Sequence, residues 1–191
     1  MRFFSPGKVA VDPKHAHSIN LKLHDINQLF NTMDPSPFIE KDLDDGAEEF
    51  IVDWAQEFPP DAAVKLRISL EQWPAEDPKE LIGQAVHNYF SHRAQLTHLE
   101  FRRLIKQGRT SLFIGLVFLA ACLVVISTLL PDNKTGTWAS VPRESLTIAG
   151  WVAMWRPMQI FLYDWWPLRR REKIYAKLSR MPVEVVQHGK P

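Results

Sequence analysis

Two ionisable residues stand where ionisable residues are expensive. Arg156 and Asp164 fall inside an otherwise apolar run, LTIAGWVAMWRPMQIFLYDWW, from Leu146 to Trp166. Charged groups in such a setting usually face a helix-bundle interior or water and mark contacts or pathways. Eight residues on an α-helix put the two about 80° apart around the axis and roughly 12 Å along it, so direct pairing is not expected. Asp164 is expected to find Arg109 or Lys106. Arg156 has no acid at matching depth in the other apolar run, which leaves backbone carbonyls, lipid phosphates reached by snorkelling, or a carboxylate on another protein. Arg156 and Asp164 are therefore the candidate partner or lipid contact.

Other chemistry is excluded by spacing. His15, His17 and His24 precede a separate set, His87, His92 and His98. Intervals of five and six do not share a helical face as metal ligands four apart do, and no Cys or acid completes a set, so no metal is expected. Ser5-Pro6-Gly7-Lys8 ends in Gly-Lys but lacks the earlier glycine and following Ser or Thr of a phosphate-binding loop. No Gly-x-Ser-x-Gly, dinucleotide fingerprint or Cys–His pair occurs. No catalytic residue, cofactor or nucleic-acid partner is expected. The single cysteine, Cys122, excludes an intrachain disulfide and is expected to pack as a small apolar residue. Met1 to Lys14 lacks the apolar core of a secretory signal.

These residues are positioned by elements that composition sorts cleanly. The net charge of +1 conceals an acidic stretch, nine acids and one Lys between Asp34 and Glu57, and basic stretches at 102–109 and 169–180. Thr110 to Leu130 runs 21 residues without a charge, about the length a helix needs to cross a bilayer core. A second span at about 146–166 completes a hairpin with an outside loop at 131–145. The alternative for the second segment is partial entry, with Trp155, Phe161, Trp165 and Trp166 at headgroup level. Arg102, Arg103, Lys106 and Arg109 precede the first span, and Arg169, Arg170, Arg171 and Lys173 follow the second. Positive flanks stay inside, so both termini are expected in the cytoplasm, and the same residues can meet anionic lipid headgroups. Ser111 with Gly115 and Ala149 with Ala153 offer small-residue faces for close helix contact.

The remaining chain predicts a small α+β domain of two to three strands plus helices. Ile19, Leu21 and Leu23 alternate with polar residues, as do Val64, Leu66, Ile68 and Leu70, giving two half-buried strands. Leu43, Ala47, Phe50, Ile51, Trp54, Ala55 and Phe58 line one face of a covering helix, with Asp44, Asp45, Glu48, Glu49 and Glu57 on its solvated face. Pro59-Pro60 ends that helix. Asp77-Pro78-Lys79-Glu80 opens the next, which meets no further proline before the first span. Pro182 to Val186 suggests a third strand. The expected organisation is 1–107 as the cytoplasmic domain running into a long helix, 108–168 as the transmembrane hairpin, and 169–191 as a basic helix with a short strand.

The run IAGWVAMWRPMQIFLYDWWPLRRREKIY, together with LFNTMDPSPFIEKDLDDGAEEFIVDWA, resembles a group of uncharacterised bacterial two-span membrane proteins of nearly the same length. The resemblance covers most of the chain and implies an inner-membrane location and a soluble domain plus hairpin, but carries over no catalytic residue. The expected function is a non-catalytic accessory or scaffolding protein contacting another membrane protein or a second copy. The alternative is an oligomeric transport component or membrane enzyme using Arg156 at an anionic lipid or substrate site.

Overall fold

The computed structural model describes residues 17–59, 62–74, 77–129 and 137–187. The chain divides into two compact units, one made of residues up to Gln95 together with Glu172 onward, the other of Leu96–Arg171. Ser5 to Lys8 and His15 lie outside the described residues.

The first unit is mixed α and β. Strands β1 (His17–Leu23), β2 (Val64–Leu70) and β3 (Val183–Gln187) form a parallel sheet in the order β1-β2-β3. Alternation sets which faces are buried: Ile19 and Leu21 of β1 and Val64, Leu66, Ile68 and Leu70 of β2 join the core. Parallel neighbours cannot be joined by a tight turn and need a crossover. Helix α1 (Asp45–Glu57) supplies the first, between β1 and β2. The second, between β2 and β3, contains α2 (Lys79–Leu129), α3 (Thr137–Gln159) and α4 (Trp165–Leu178). A domain built from both sides of the long apolar stretch is therefore closed by residues more than a hundred positions apart, with Leu66 registered against Val183 and Ile68 against Val185.

Helix ends follow their caps. The Asp44 side chain accepts from the Gly46 amide at 3.0 Å to begin α1, and Asp77 accepts from the Lys79 amide at 3.3 Å where α2 starts, as the Asp-Pro-Lys-Glu signal predicts. The buried face of α1 differs from the expected one. Ala47, Glu48, Ile51, Val52 and Ala55 are buried, whereas Phe50 and Trp54 are 37% and 42% exposed. The apolar aromatics pulled the expected face around the helix. The packed face follows 48, 51, 52 and 55, one continuous i, i+3, i+4, i+7 stripe.

In the second unit, helix α2 is long and apolar enough to cross a membrane. Phe113, Ile114, Leu116, Val117, Leu123 and Val124 on α2 and Ile148, Trp151, Val152, Trp155 and Leu162 further along are each at least half exposed. Glycines let the two apolar segments approach. A β-carbon on Gly115 would lie 3.0 Å from the Ala153 carbonyl oxygen and 3.1 Å from the Met154 sulfur, and one on Gly150 would lie 2.7 Å from the end of the Leu119 side chain. Gly115 and Ala153 thus meet as the small-residue faces suggest. Pro157, four residues on, has no N–H to give the Ala153 carbonyl. Cys122 is buried as expected.

Part of the expected outside loop is helical. α3 begins at Thr137, while 131–136 lies outside the described residues. Pro142 lies inside α3, past its first turn, where it removes one intrahelical hydrogen bond. A second departure is a π turn over Ile160–Asp164 between α3 and α4. Its widened winding frees carbonyls, and the Trp165 indole N–H donates to one of them, that of Phe161, at 2.8 Å.

Candidate functional site

Two polar constellations stand out, one in each unit. In the first unit, Glu48 is buried, 8% exposed, on the buried stripe of α1. Its Oε2 accepts from the Tyr89 hydroxyl at 2.5 Å and from Arg93 Nη2 at 2.6 Å. Its Oε1 accepts from Arg93 Nε at 3.2 Å and from the Tyr175 hydroxyl at 2.9 Å. Tyr89 and Arg93 sit one turn apart on α2, so both reach the same carboxylate, and Tyr175 arrives from α4. Burial by itself would push the Glu48 carboxyl up, but the hydrogen bonds from Arg93, Tyr89 and Tyr175 outweigh it and hold the group below the usual range. The Tyr89 phenol is pushed up by burial and by its bond to Glu48, and the bond to Glu48 raises Arg93 further still.

Four donors fill the roughly four lone-pair directions of a carboxylate. Glu48 has no oxygen left for a substrate proton, so the arrangement is a clasp joining α1, α2 and α4. The expectation of a solvated Glu48 is corrected here. Its signal was legible as position, since 48 shares the stripe of 51, 52 and 55; charge obscured it.

A loop beside this clasp is held in place by Asp34. Its carboxylate accepts from the Asp42 amide at 2.7 Å and the Ser36 amide at 2.9 Å, and these bonds hold it below the usual range. Between that loop and α2 runs an open polar groove of about 490 Å³ bearing Glu40, Asp42, Ser91 and His92. Among the described residues no three His, Cys, Asp or Glu side chains converge to hold a metal ion. His87 donates from Nε2 to the Met181 carbonyl at 2.7 Å, and His24 Nδ1 lies 2.7 Å from Glu71.

In the second unit Arg156 and Asp164 pair directly, Nη1 to Oδ2 at 3.3 Å, with Gln159 Oε1 also 3.3 Å from the same nitrogen. Both the expected separation and the expected Asp164 partners, Arg109 and Lys106, are thereby overturned. The π turn explains it. One residue absorbed by the wider turn makes eight positions count as about seven α-helical steps, or about 700°, only about 20° short of two full turns. The two side chains then share a face and bridge the remaining rise.

The basic residues are placed as solvent-facing positions. Arg102, Arg103, Lys106 and Arg109 are exposed on α2, and Arg169, Arg170, Arg171 and Lys173 on α4. The Arg169 guanidinium lies 5.6 Å over the Phe101 ring, so the two basic stretches approach within the second unit. Comparisons of the chain with protein-family models, with curated proteins and with solved structures find no match in any of the three.

Proposed function

We propose that the chain is a non-catalytic accessory or scaffolding protein of the bacterial inner membrane, anchored by a two-helix transmembrane hairpin and presenting its small domain to the cytoplasm. The pairing of β2 with β3 carries this reading. Residues that precede α2's apolar stretch and residues that follow α4 share one sheet and one hydrophobic core. If α2 crosses a bilayer, a chain whose two ends belong to one soluble unit must come back, so the number of crossings is even and the second crossing falls to α3. Three features of α3 support that assignment. Its apolar side chains are widely exposed, its glycine contacts seat it on α2, and Arg156 and Asp164 offset one another on a single helix. A paired charge is far less costly in a membrane than an isolated one.

Basic residues at 102–109 and 169–173 favour the cytoplasm for the domain. The fully occupied Glu48 carboxylate supports a role without catalysis, and pairing of Arg156 within its own helix removes the need for a pore lumen to solvate it. Two spans leave most of the exposed apolar surface to lipid or another membrane protein. The test is purification of the tagged chain in native nanodiscs with stoichiometry by native mass spectrometry. A foreign membrane subunit in fixed ratio is expected; a homo-oligomer carrying no other protein would refute the accessory role. Cysteine labelling at 133 and at 187 separates the topology, with only 133 expected to be accessible from outside.

A further inference from the structure

Arg156 is only partly used. Its two hydrogen bonds both leave from Nη1, each 3.3 Å long, near the outer limit for such a bond. Among the described residues Nε and Nη2 have no partner, nor has Asp164 Oδ1. The pair is accessible, with side chains 51% and 27% exposed. Beside it, sharing Gln159, lies a groove of about 400 Å³ lined by Trp155, Met158, Leu162 and Tyr163. The π turn at 160–164 brings Asp164 under Arg156 and supplies Leu162 and Tyr163 to the groove. Such turns recur at functional sites.

We propose that this turn binds one phospholipid whose headgroup carries a phosphate and a primary ammonium, a phosphatidylethanolamine. The inference rests on the membrane reading above. The free edge of the guanidinium, Nε and Nη2, is the fork that takes a phosphate in bidentate fashion. Asp164 Oδ1 accepts from the ammonium, and an acyl chain lies along Trp155, Met158 and Leu162. The order of the groups suits the bilayer. Asp164 is five residues, about 7.5 Å of rise, from Arg169, and Arg156 reaches towards it from deeper, so the phosphate sits inward of the ammonium. A purely anionic headgroup would meet the Asp164 charge. A choline headgroup would bring a cation with no N–H for Oδ1.

The full chain is reconstituted in nanodiscs of phosphatidylethanolamine, phosphatidylcholine or phosphatidylglycerol, and retained lipid is counted by native mass spectrometry after transfer to detergent. Phosphatidylethanolamine is expected to be retained about tenfold over phosphatidylcholine, the worth of one charged hydrogen bond. Asp164→Asn should abolish that preference and raise phosphatidylglycerol retention, while Arg156→Ala should reduce all three. Equal retention of the three lipids by the unaltered protein overturns the proposal, whatever the variants do. Retention unchanged by Asp164→Asn also overturns it. Failure of the membrane reading is read separately, as release of the chain from vesicles by alkaline carbonate.

Discussion

Replacing Glu48 with Gln tests whether the buried clasp holds the soluble unit together. The substitution keeps shape and removes charge. Gln accepts through one oxygen and carries an NH2 in place of the other, so one Arg93 N–H and one tyrosine hydroxyl, of Tyr89 or Tyr175, face a donor where each now meets an acceptor; the hydroxyl can turn to accept, the guanidinium cannot. Hydrogen bonds to a charged group are worth about 1.5–3 kcal/mol, and a buried donor left unmatched costs a similar amount. Arg93 is 38% exposed and recovers part of its loss from water, which places the expected destabilisation at about 2–3 kcal/mol. Hydrogen exchange of α1 amides in the micelle-bound full chain reads this directly as faster opening. The pH dependence gives an independent check. The folded carboxyl lies below its ordinary value of 4.5, so folding favours the ionised form. Its contribution is fully present above about pH 4.5 and is lost as pH falls through the lower folded value. Wild type and Glu48→Gln should therefore differ at neutral pH and converge on acidification. A difference below about 0.5 kcal/mol at pH 7, in the range of ordinary surface changes, or one that persists undiminished in acid, would refute the clasp.

Ile51→Ala should cost about 2–5 kcal/mol because its side chain is fully buried, whereas Trp54→Ser on the outward face of α1 should cost less than about 1 kcal/mol, both by chemical denaturation. Gly115→Val should separate α2 from α3, since its β-carbon would press on the Ala153 backbone rather than a yielding side chain. Overpacking of about 1–3 kcal/mol is expected as a lower thermal midpoint in detergent. Gly150→Ala, whose tight contact is with the movable end of the Leu119 side chain, should be milder. His87→Ala should remove one bond to the Met181 carbonyl and raise exchange of the Val183–Gln187 amides by about fivefold, corresponding to about 1 kcal/mol.

What the sequence made legible was periodic. The alternation in β1 and β2, the Asp77 cap and the proline-free run of α2 are local patterns, and each reappears in the structure. What it hid depended on distant partners or on a single irregular turn. The acidity of Glu48 suggested solvent because Tyr89, Arg93 and Tyr175 are 41, 45 and 127 positions away. Trp54 suggested the core because large aromatic side chains dominate any hydrophobic count, yet the stripe on which it stands is not the packed one. The pairing of Arg156 with Asp164 is hidden from the sequence because one π turn after Pro157 changes which residues share a face. Parallel pairing was also out of reach, since alternation reports a strand's faces but not its neighbours.

The split of the soluble unit gives the clasp its particular value. β3 and Tyr175 are made after every apolar segment, so β2 awaits its second neighbour until the end of the chain arrives. Closing so long a loop is entropically costly, though the cost grows only slowly with length. The contact of α2 with α3 at Gly115 and Ala153 shortens the effective loop by folding the intervening chain back on itself. The carboxylate of Glu48 then accepts from residues before the loop, Tyr89 and Arg93, and after it, Tyr175, at the same two oxygens. Closure of the domain thus joins chain from before and after the long crossover through one side chain. A chain whose last segment failed to dock would leave the Tyr175 position on Glu48 empty and that edge of β2 unpaired.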